Sequence, residues 1–232
     1  MSPRYVALIR HGAYHQRPAT PSALQPYPLT EAGRAQARQC GATIAELLQR
    51  NGWSLDKVAH CSTELRAWET AQRAGQELAT RGHAMETTQT PLLSERSVGS
   101  AANLSVEEIE AALAADPRHP EPPENWKSDS AYCLPYPGAE SLMMAGLRVA
   151  GYLRAVVADK PEPPKAQLTL IFGHGASFRH AAFHLGLLGR DEIAGLSMYH
   201  ARPLLLCYNA ASGWEHFGGD WKHRSRSSLE PD

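Results

Sequence analysis

The sequence predicts a three-layer α/β/α sandwich built on a mostly parallel central sheet. Three observations predict it. Short apolar runs such as Tyr5-Val6-Ala7-Leu8-Ile9 and Leu168-Thr169-Leu170-Ile171-Phe172 lack the polar alternation of a half-exposed strand, as expected where a sheet is covered on both faces. Stretches with one apolar helical face alternate with these runs along the chain. The 232 residues, 43% of them hydrophobic, suffice for one sizeable core, and no long Gly/Ser-rich linker divides them. A single domain over 1–232 is therefore expected.

In chain order, Tyr5 to Ile9 reads as the first strand, followed by a loop rich in proline (Pro18, Pro21, Pro26, Pro28). Thr30 is a candidate N-cap for a helix whose apolar face carries Ala37, Ile44, Leu47 and Leu48 and which ends at Asn51-Gly52. Val58 to Cys61 reads as a strand, Arg66 to Arg81 as a helix closed by Gly82, and Met85 to Thr88 as a short strand. Pro91 to Leu104 has no period and reads as a long loop; Ser105-Val106-Glu107-Glu108 then has the form of a capping box. Residues 116–136, rich in Pro, Glu and Ser, read as an irregular insert, either a lid or a flexible segment. A long helix is expected over Ser141 to Val157, a strand over Leu168 to Phe172 and a helix over Ser177 to Leu187. Leu204 to Tyr208 should pair with Trp214 to Phe217 as a hairpin, and a polar tail, frayed, is expected from Lys222.

Composition narrows the function. A formal net charge of -1 recommends neither nucleic acid nor an anionic membrane as partner. The four cysteines stand singly, which supports no zinc ribbon or dithiol site and fits a reducing cytoplasm. No N-terminal signal peptide and no apolar stretch of membrane-spanning length are read.

In open parallel sheets, ligands sit at the carboxyl ends of the strands. Three of those ends carry residues suited to phosphate. The first strand delivers Arg10-His11-Gly12, the second is followed by Arg66, and the strand at 168–172 delivers Gly173-His174-Gly175. Guanidinium groups grip phosphoryl oxygens in pairs and stay charged. The glycines, Gly12 and Gly175, would let backbone N–H groups approach an anion, and a helix after Gly175 would add its positive end. A neutral imidazole with a free nitrogen is a nucleophile, and two nearby arginines disfavour its protonation.

These residues resemble the histidine phosphatase superfamily, also called phosphoglycerate-mutase-like. Leu8-Ile9-Arg10-His11-Gly12 is similar to its Arg-His-Gly motif, and Pro28 to Gly33 with Gln36-Ala37 to its Leu-Thr/Ser-x-x-Gly-x-x-Gln-Ala helix start. Ser62 to Ala67 with Glu69-Thr70-Ala71 resembles its segment running from serine through leucine to Arg-Ala and Thr-Ala. Leu93-Ser94-Glu95-Arg96 with Gly99 is similar to the stretch that holds the family's acid. Gly138-Ala139-Glu140-Ser141 resembles its Gly-Glu-Ser helix start with one extra alanine, and Gly173-His174-Gly175 with Arg179 its second-histidine motif. The resemblance runs in family order from about residue 5 to residue 185. It implies His11 as nucleophile, a phosphate pocket of Arg10, Arg66 and His174, and Glu95 as proton donor and then base. It implies no metal and no cofactor.

Tyr14, His15, Gln16 and Arg17 follow the candidate nucleophile and are candidates to line the entrance. The other histidines, His200 and His60 among them, are read as surface or packing residues. His180 and His184, four apart on a helix, have metal-ligand spacing, but without a third ligand they too are read as packing. Ala13-Tyr14-His15-Gln16 and the proline-rich loop depart from the mutase pattern of Glu or Gln, Trp-Asn and Phe-Thr-Gly-Trp. Hydrolysis of a phosphoprotein (Ser/Thr) or a small phosphorylated metabolite is the expectation. A phosphoglycerate-type phosphomutase, a non-catalytic phosphate-binding scaffold and, more distantly, a metal-dependent hydrolase are the alternatives. For assembly, a homodimer stays open.

Overall fold

A computed structural model describes residues 3–21 and 24–224. The chain begins with β1 (Arg4–Arg10) and enters α1 (Glu31–Asn51), β2 (Ser54–Leu55), β3 (Val58–Ser62), α2 (Leu65–Thr80) and β4 (Glu86–Thr90). Two short 3₁₀ turns, Pro91–Leu93 and Gly99–Ala101, break the long loop before α3 (Val106–Ala114). Then come α4 (Leu142–Leu153), β5 (Gln167–Gly173), α5 (Gly175–His184), α6 (Arg190–Ile193), β6 (Leu196–Ser197), β7 (Pro203–Asn209), β8 (Gly213–Gly218) and β9 (Lys222–His223).

The large sheet has strand order β4-β3-β5-β1-β7-β8, with β2 paired beside β5. Strands β4, β3, β5 and β1 are mutually parallel, while β7 returns antiparallel to β1 and β8 antiparallel to β7. The pleat divides the apolar residues of β1 between two cores. Ala7 and Ile9 join Ile44 and Leu48 of α1, and Ala71 and Leu78 of α2, on one face. Val6 and Leu8 join Val149 and Leu153 of α4, and Phe178 of α5, on the other. The chain therefore folds as the mostly parallel α/β/α sandwich that its apolar runs predict. Among the described residues, no helix is long and apolar enough to cross a membrane.

Local signals hold where the bonding is local. Thr30 caps α1 by accepting from the Gly33 N–H, Gly52 closes it at φ 66°, and the Ser105/Glu108 capping box forms at α3. Non-local bonds moved several boundaries. Helix α4 stops at Leu153 and gives way to a π turn over Arg154–Ala158, whose last carbonyls are taken by Arg4: Nη1 donates to Val157 O (2.9 Å) and Ala158 O (2.8 Å). Helix α5 starts at Gly175, not Ser177, because an acidic side chain from a distant loop caps it, as described below. Lys222 and His223 are not frayed: they pair with Leu196 and Ser197, leaving 225–232 of the expected tail outside the described residues.

Residues 116–136 hold no helix or strand, yet they are anchored. Trp126 is 1% exposed and packs with Val98, Ile109, Leu113 and Leu134 in a small third core. Its indole N–H donates to Glu110 (2.9 Å), and Ser130 reaches His180 of α5 (3.0 Å).

Candidate active site

Register sets the first two site residues side by side. Arg10 pairs with Gly173 across β1 and β5, so His11 and His174 follow at the same edge, and the His11 N–H donates to Gly173 O (3.0 Å). Their ring centroids are 5.2 Å apart. Strand β3 ends beside β5 and feeds α2, whose Arg66 reaches under the same edge. Arg66 and His174 are both 0% exposed, and His11 and Arg10 are buried.

The tautomer of His11 follows from its contacts. Nδ1 lies 2.8 Å from the Gly12 carbonyl oxygen, which only accepts, so Nδ1 carries the hydrogen. The lone pair is then on Nε2. Burial is the main cause holding the imidazole well below its usual pKa, followed by Arg66, His174, Arg10 and His200. The arginines foreseen from sequence thus contribute, but desolvation contributes more.

His174 is fixed from both sides. Nδ1 faces Nη2 of Arg66 at 3.2 Å, and a guanidinium only donates, so Nδ1 accepts and Nε2 carries the hydrogen. That Nε2 lies 2.8 Å from Ser62 Oγ and 3.1 Å from Glu64 Oε2. Arg66 Nη1 also donates to Gln25 O (3.2 Å), and its guanidinium lies 4.9 Å above the Tyr14 ring. Arg10 donates to Met198 O (3.0 Å).

Glu95 sits at the head of α5. Its Oε1 accepts from the Ser177 N–H (3.0 Å) and the Arg96 N–H (2.9 Å), and its Oε2 from the Ala176 N–H (3.2 Å). The first-turn N–H groups of α5 that were expected to face an anion therefore face this carboxylate. Oε1 already has two donors, so a proton on Glu95 belongs on Oε2. The loop bearing it is held by Arg148, which pairs with Glu140 through Nε (2.8 Å) and Nη2 (2.7 Å) while Nη1 donates to Pro91, Leu92 and Ser94 carbonyls.

Gly12 plays a different part from the one expected. The Gly12 N–H is engaged with Thr70 Oγ1 (3.0 Å). A Cβ on Gly12 would lie 2.6 Å from Gly33 O, so the residue is glycine because α1 passes against this loop. Gly175 leaves space for Arg10, whose Cδ would be 3.2 Å from a Cβ there.

Of the candidate entrance residues, Tyr14 is buried, edge-on to His11 with centroids 5.2 Å apart. His15 is exposed and Gln16 is half-buried. Arg17 is engaged with the loop before α3 and with α3 itself: its Nη1 donates to Asn103 O (2.7 Å) and it faces Glu108 at 3.7 Å. His180 and His184 point to separate partners, Nδ1 of His180 to Ala176 O (2.7 Å) and Nε2 of His184 to Met143 O (3.0 Å). Among the described residues, no group of three or more His, Cys, Asp or Glu side chains is placed to hold a metal ion.

Sequence reading missed two residues. His200 donates from Nδ1 to His11 O (2.8 Å), its ring 5.5 Å from that of His11. It precedes β7, and because β7 is antiparallel its beginning lies at the edge where the parallel strands end; the hairpin could have signalled this. Glu64 stood in the quoted Ser62 to Ala67 block with no role attached.

Comparison with known proteins follows the same lines. The family model of the histidine phosphatase superfamily (branch 1) matches residues 6–212. The 2,3-bisphosphoglycerate-dependent phosphoglycerate mutase of Parvibaculum lavamentivorans is 28% identical over 205 residues, covering 88% of this chain and 90% of its own. Among solved structures, "Mycobacterial hydrolase 2" superposes with a TM-score of 0.68 at 21% identity, covering 98% of this chain and 94% of its own. A mycobacterial glucosyl-3-phosphoglycerate phosphatase in complex with VO3 gives 0.63 at 22% identity, covering 95% and 98%. The two structures share the phosphoglycerate-mutase-like fold. The match from β1 through β7 spans every strand end described above, and the chain belongs to the histidine phosphatase superfamily, branch 1.

Proposed function

We propose that the protein is a phosphomonoesterase that takes the phosphoryl group onto Nε2 of His11 and releases it to water. The observation that carries this reading is the Nδ1–H bond to Gly12 O, which leaves Nε2 unprotonated in a site that disfavours imidazolium. Nε2 attacks phosphorus, the P–O ester bond breaks, and the leaving alkoxide takes the proton from Glu95 Oε2. Arg10 and Arg66 bind the equatorial oxygens as charge builds on them. Glu95, now a carboxylate, takes a proton from the water that cleaves the P–N bond, freeing phosphate and His11. The substrate is a phosphoprotein side chain or a small phosphorylated metabolite, and the chain is proposed to act in the cytoplasm.

A mutase is the second reading, favoured by the phosphoglycerate mutases to which this chain is 28–29% identical. Against it, a phosphoglycerate carries a carboxylate besides its phosphate, and the further cations of this loop region are engaged elsewhere. Arg17 is turned to Glu108 and Asn103, and Arg96 lies over Trp126.

The test is release of phosphate from p-nitrophenyl phosphate by wild type and His11→Ala with EDTA present, beside a 3-phosphoglycerate mutase assay with and without 2,3-bisphosphoglycerate. The reading expects hydrolysis by wild type, a loss of at least roughly a thousandfold in the variant, and no mutase turnover. Mutase turnover that exceeds hydrolysis would replace it with the second reading. Phosphate binding without any turnover would favour a scaffold.

A further inference from the structure

Glu64 has no structural task that accounts for it. It occupies the N-cap of α2 yet makes no side-chain capping bond. It is buried, and among the described residues its Oε1 makes no hydrogen bond at all. An ionised carboxylate with a bare oxygen in a dry site is costly unless its charge is matched. The side-chain hydrogen bonds of its carboxylate go one way: Oε2 accepts from Ser62 Oγ and lies 3.1 Å from Nε2 of His174, which Ser62 Oγ also touches at 2.8 Å.

We propose that Glu64 is the positioning residue that makes His174 a proton-coupled receptor for the phosphoryl dianion: it holds Nε2–H, so that a proton taken up on Nδ1 as the anion enters gives an imidazolium with its counter-ion already in place. The inference rests on the phosphate-pocket reading above. The geometry forces the coupling. Nδ1 accepts from Arg66 Nη2 at 3.2 Å. A protonated Nδ1–H cannot face that N–H, so an anion oxygen must come between them and accept from both. A neutral ring could offer Nδ1–H only by surrendering the Nε2–H that Glu64 accepts, so Glu64 couples entry of the proton to entry of the anion.

Charge balance argues the same way. The groups facing His174 are Arg66 and Glu64 at the start of α2, Ser62 of β3, His11 at the end of β1 and Glu95 of the loop after β4. Beside His174 the Arg66 guanidinium is matched by the Glu64 carboxylate, so a dianion arriving there is better held with one more positive charge on the ring. Burial and Arg66 hold the free His174 below its usual pKa, while Glu64 and Glu95 pull the other way, so near neutral pH the proton must come with the ligand.

Sulfate is the probe, a tetrahedral dianion that holds no proton near neutral pH. Calorimetric titration in buffers of different ionisation enthalpy counts the protons taken up. Wild type is expected to take up about one proton per sulfate. Glu64→Gln, which keeps an acceptor for Nε2–H and loses the charge, should take up less than about half of that and bind sulfate roughly tenfold or more weakly. Ser62→Ala, which keeps the charge, should retain the uptake. Wild type that binds sulfate and turns over phosphate esters without proton uptake would overturn the inference and leave the phosphatase reading standing. So would Glu64→Gln with uptake equal to wild type. If sulfate does not bind wild type, the phosphate-pocket reading falls and this inference with it.

Discussion

At the residue scale, the chemistry turns on which nitrogen or oxygen holds a proton. One carbonyl contact decides this for His11 and one guanidinium contact for His174, and the backbone N–H groups on Glu95 leave Oε2 as its protonable atom. If Glu95 supplies the proton to the leaving oxygen, its importance depends on the leaving group. Glu95→Gln keeps an oxygen to accept from the α5 backbone and lacks the acid. It should lose on the order of a hundredfold or more in kcat on alkyl phosphates, and far less on p-nitrophenyl phosphate, whose phenolate leaves unaided. Equal losses on both would move the acid to another residue. The candidate site was legible at this scale where a motif named it: His11, Arg10, Arg66, Glu95 and His174 all stand at one edge of the sheet. Glu64 and His200 were not, because a side chain joined to the site only through a neighbour's hydrogen bond leaves no pattern of spacing.

At the scale of elements, helix caps and strand runs were readable because their causes are local. Thr30, Gly52 and the Ser105/Glu108 box act within a few residues of themselves. The misplaced start of α5 has a cause 80 residues away in Glu95, and the early end of α4 is tied to Arg4 at the other end of the chain. The same kind of long-range bond holds the acid loop. Arg148 on α4 grips Glu140 and three carbonyls of the 91–94 turn, so it fixes where Glu95 stands. Arg148→Met keeps the apolar stem and loses the fork. It should cost roughly 2–4 kcal/mol in stability, because Glu140 is left partly buried and unpaired. It should also lower kcat on alkyl phosphates more than on p-nitrophenyl phosphate. A double-mutant cycle with Glu140→Gln should return a coupling of about 1–3 kcal/mol. Coupling below about 0.5 kcal/mol would make the pair an ordinary surface ion pair.

Across the whole molecule, the sandwich itself was legible, since apolar runs and alternating helices say which surfaces must be covered. The anchoring of 116–136 was not, because scattered residues, Trp126 and Leu134 in a small core and Ser130 on α5, tie it down with no period to announce them. What the fold covers also sets its response to acid. Burial is the leading cause holding His11, His60, His174 and His180 below the ordinary imidazole value of 6.5, and His180 falls to about 4. The native state keeps these rings neutral, while in the unfolded chain they protonate as pH drops through 6.5. The unfolded state then binds more protons, so these rings make stability fall with falling pH across that window and add no slope above it. Glu64 is held below its ordinary value of 4.5, against the cost of its burial, by the His174 Nε2–H bond and by Arg66, and adds a loss of the same sign as it protonates. Urea unfolding across this range should therefore show a progressive decline from neutral pH toward pH 4. For His180, 0% exposed, the share at pH 4 is roughly 3 kcal/mol. His180→Gln can still donate to Ala176 O and accept from Ser130 Oγ, but it does not titrate. Its stability curve should be flatter by that amount between pH 6.5 and 4, and a variant curve parallel to wild type would show that His180 takes up its proton in the folded protein.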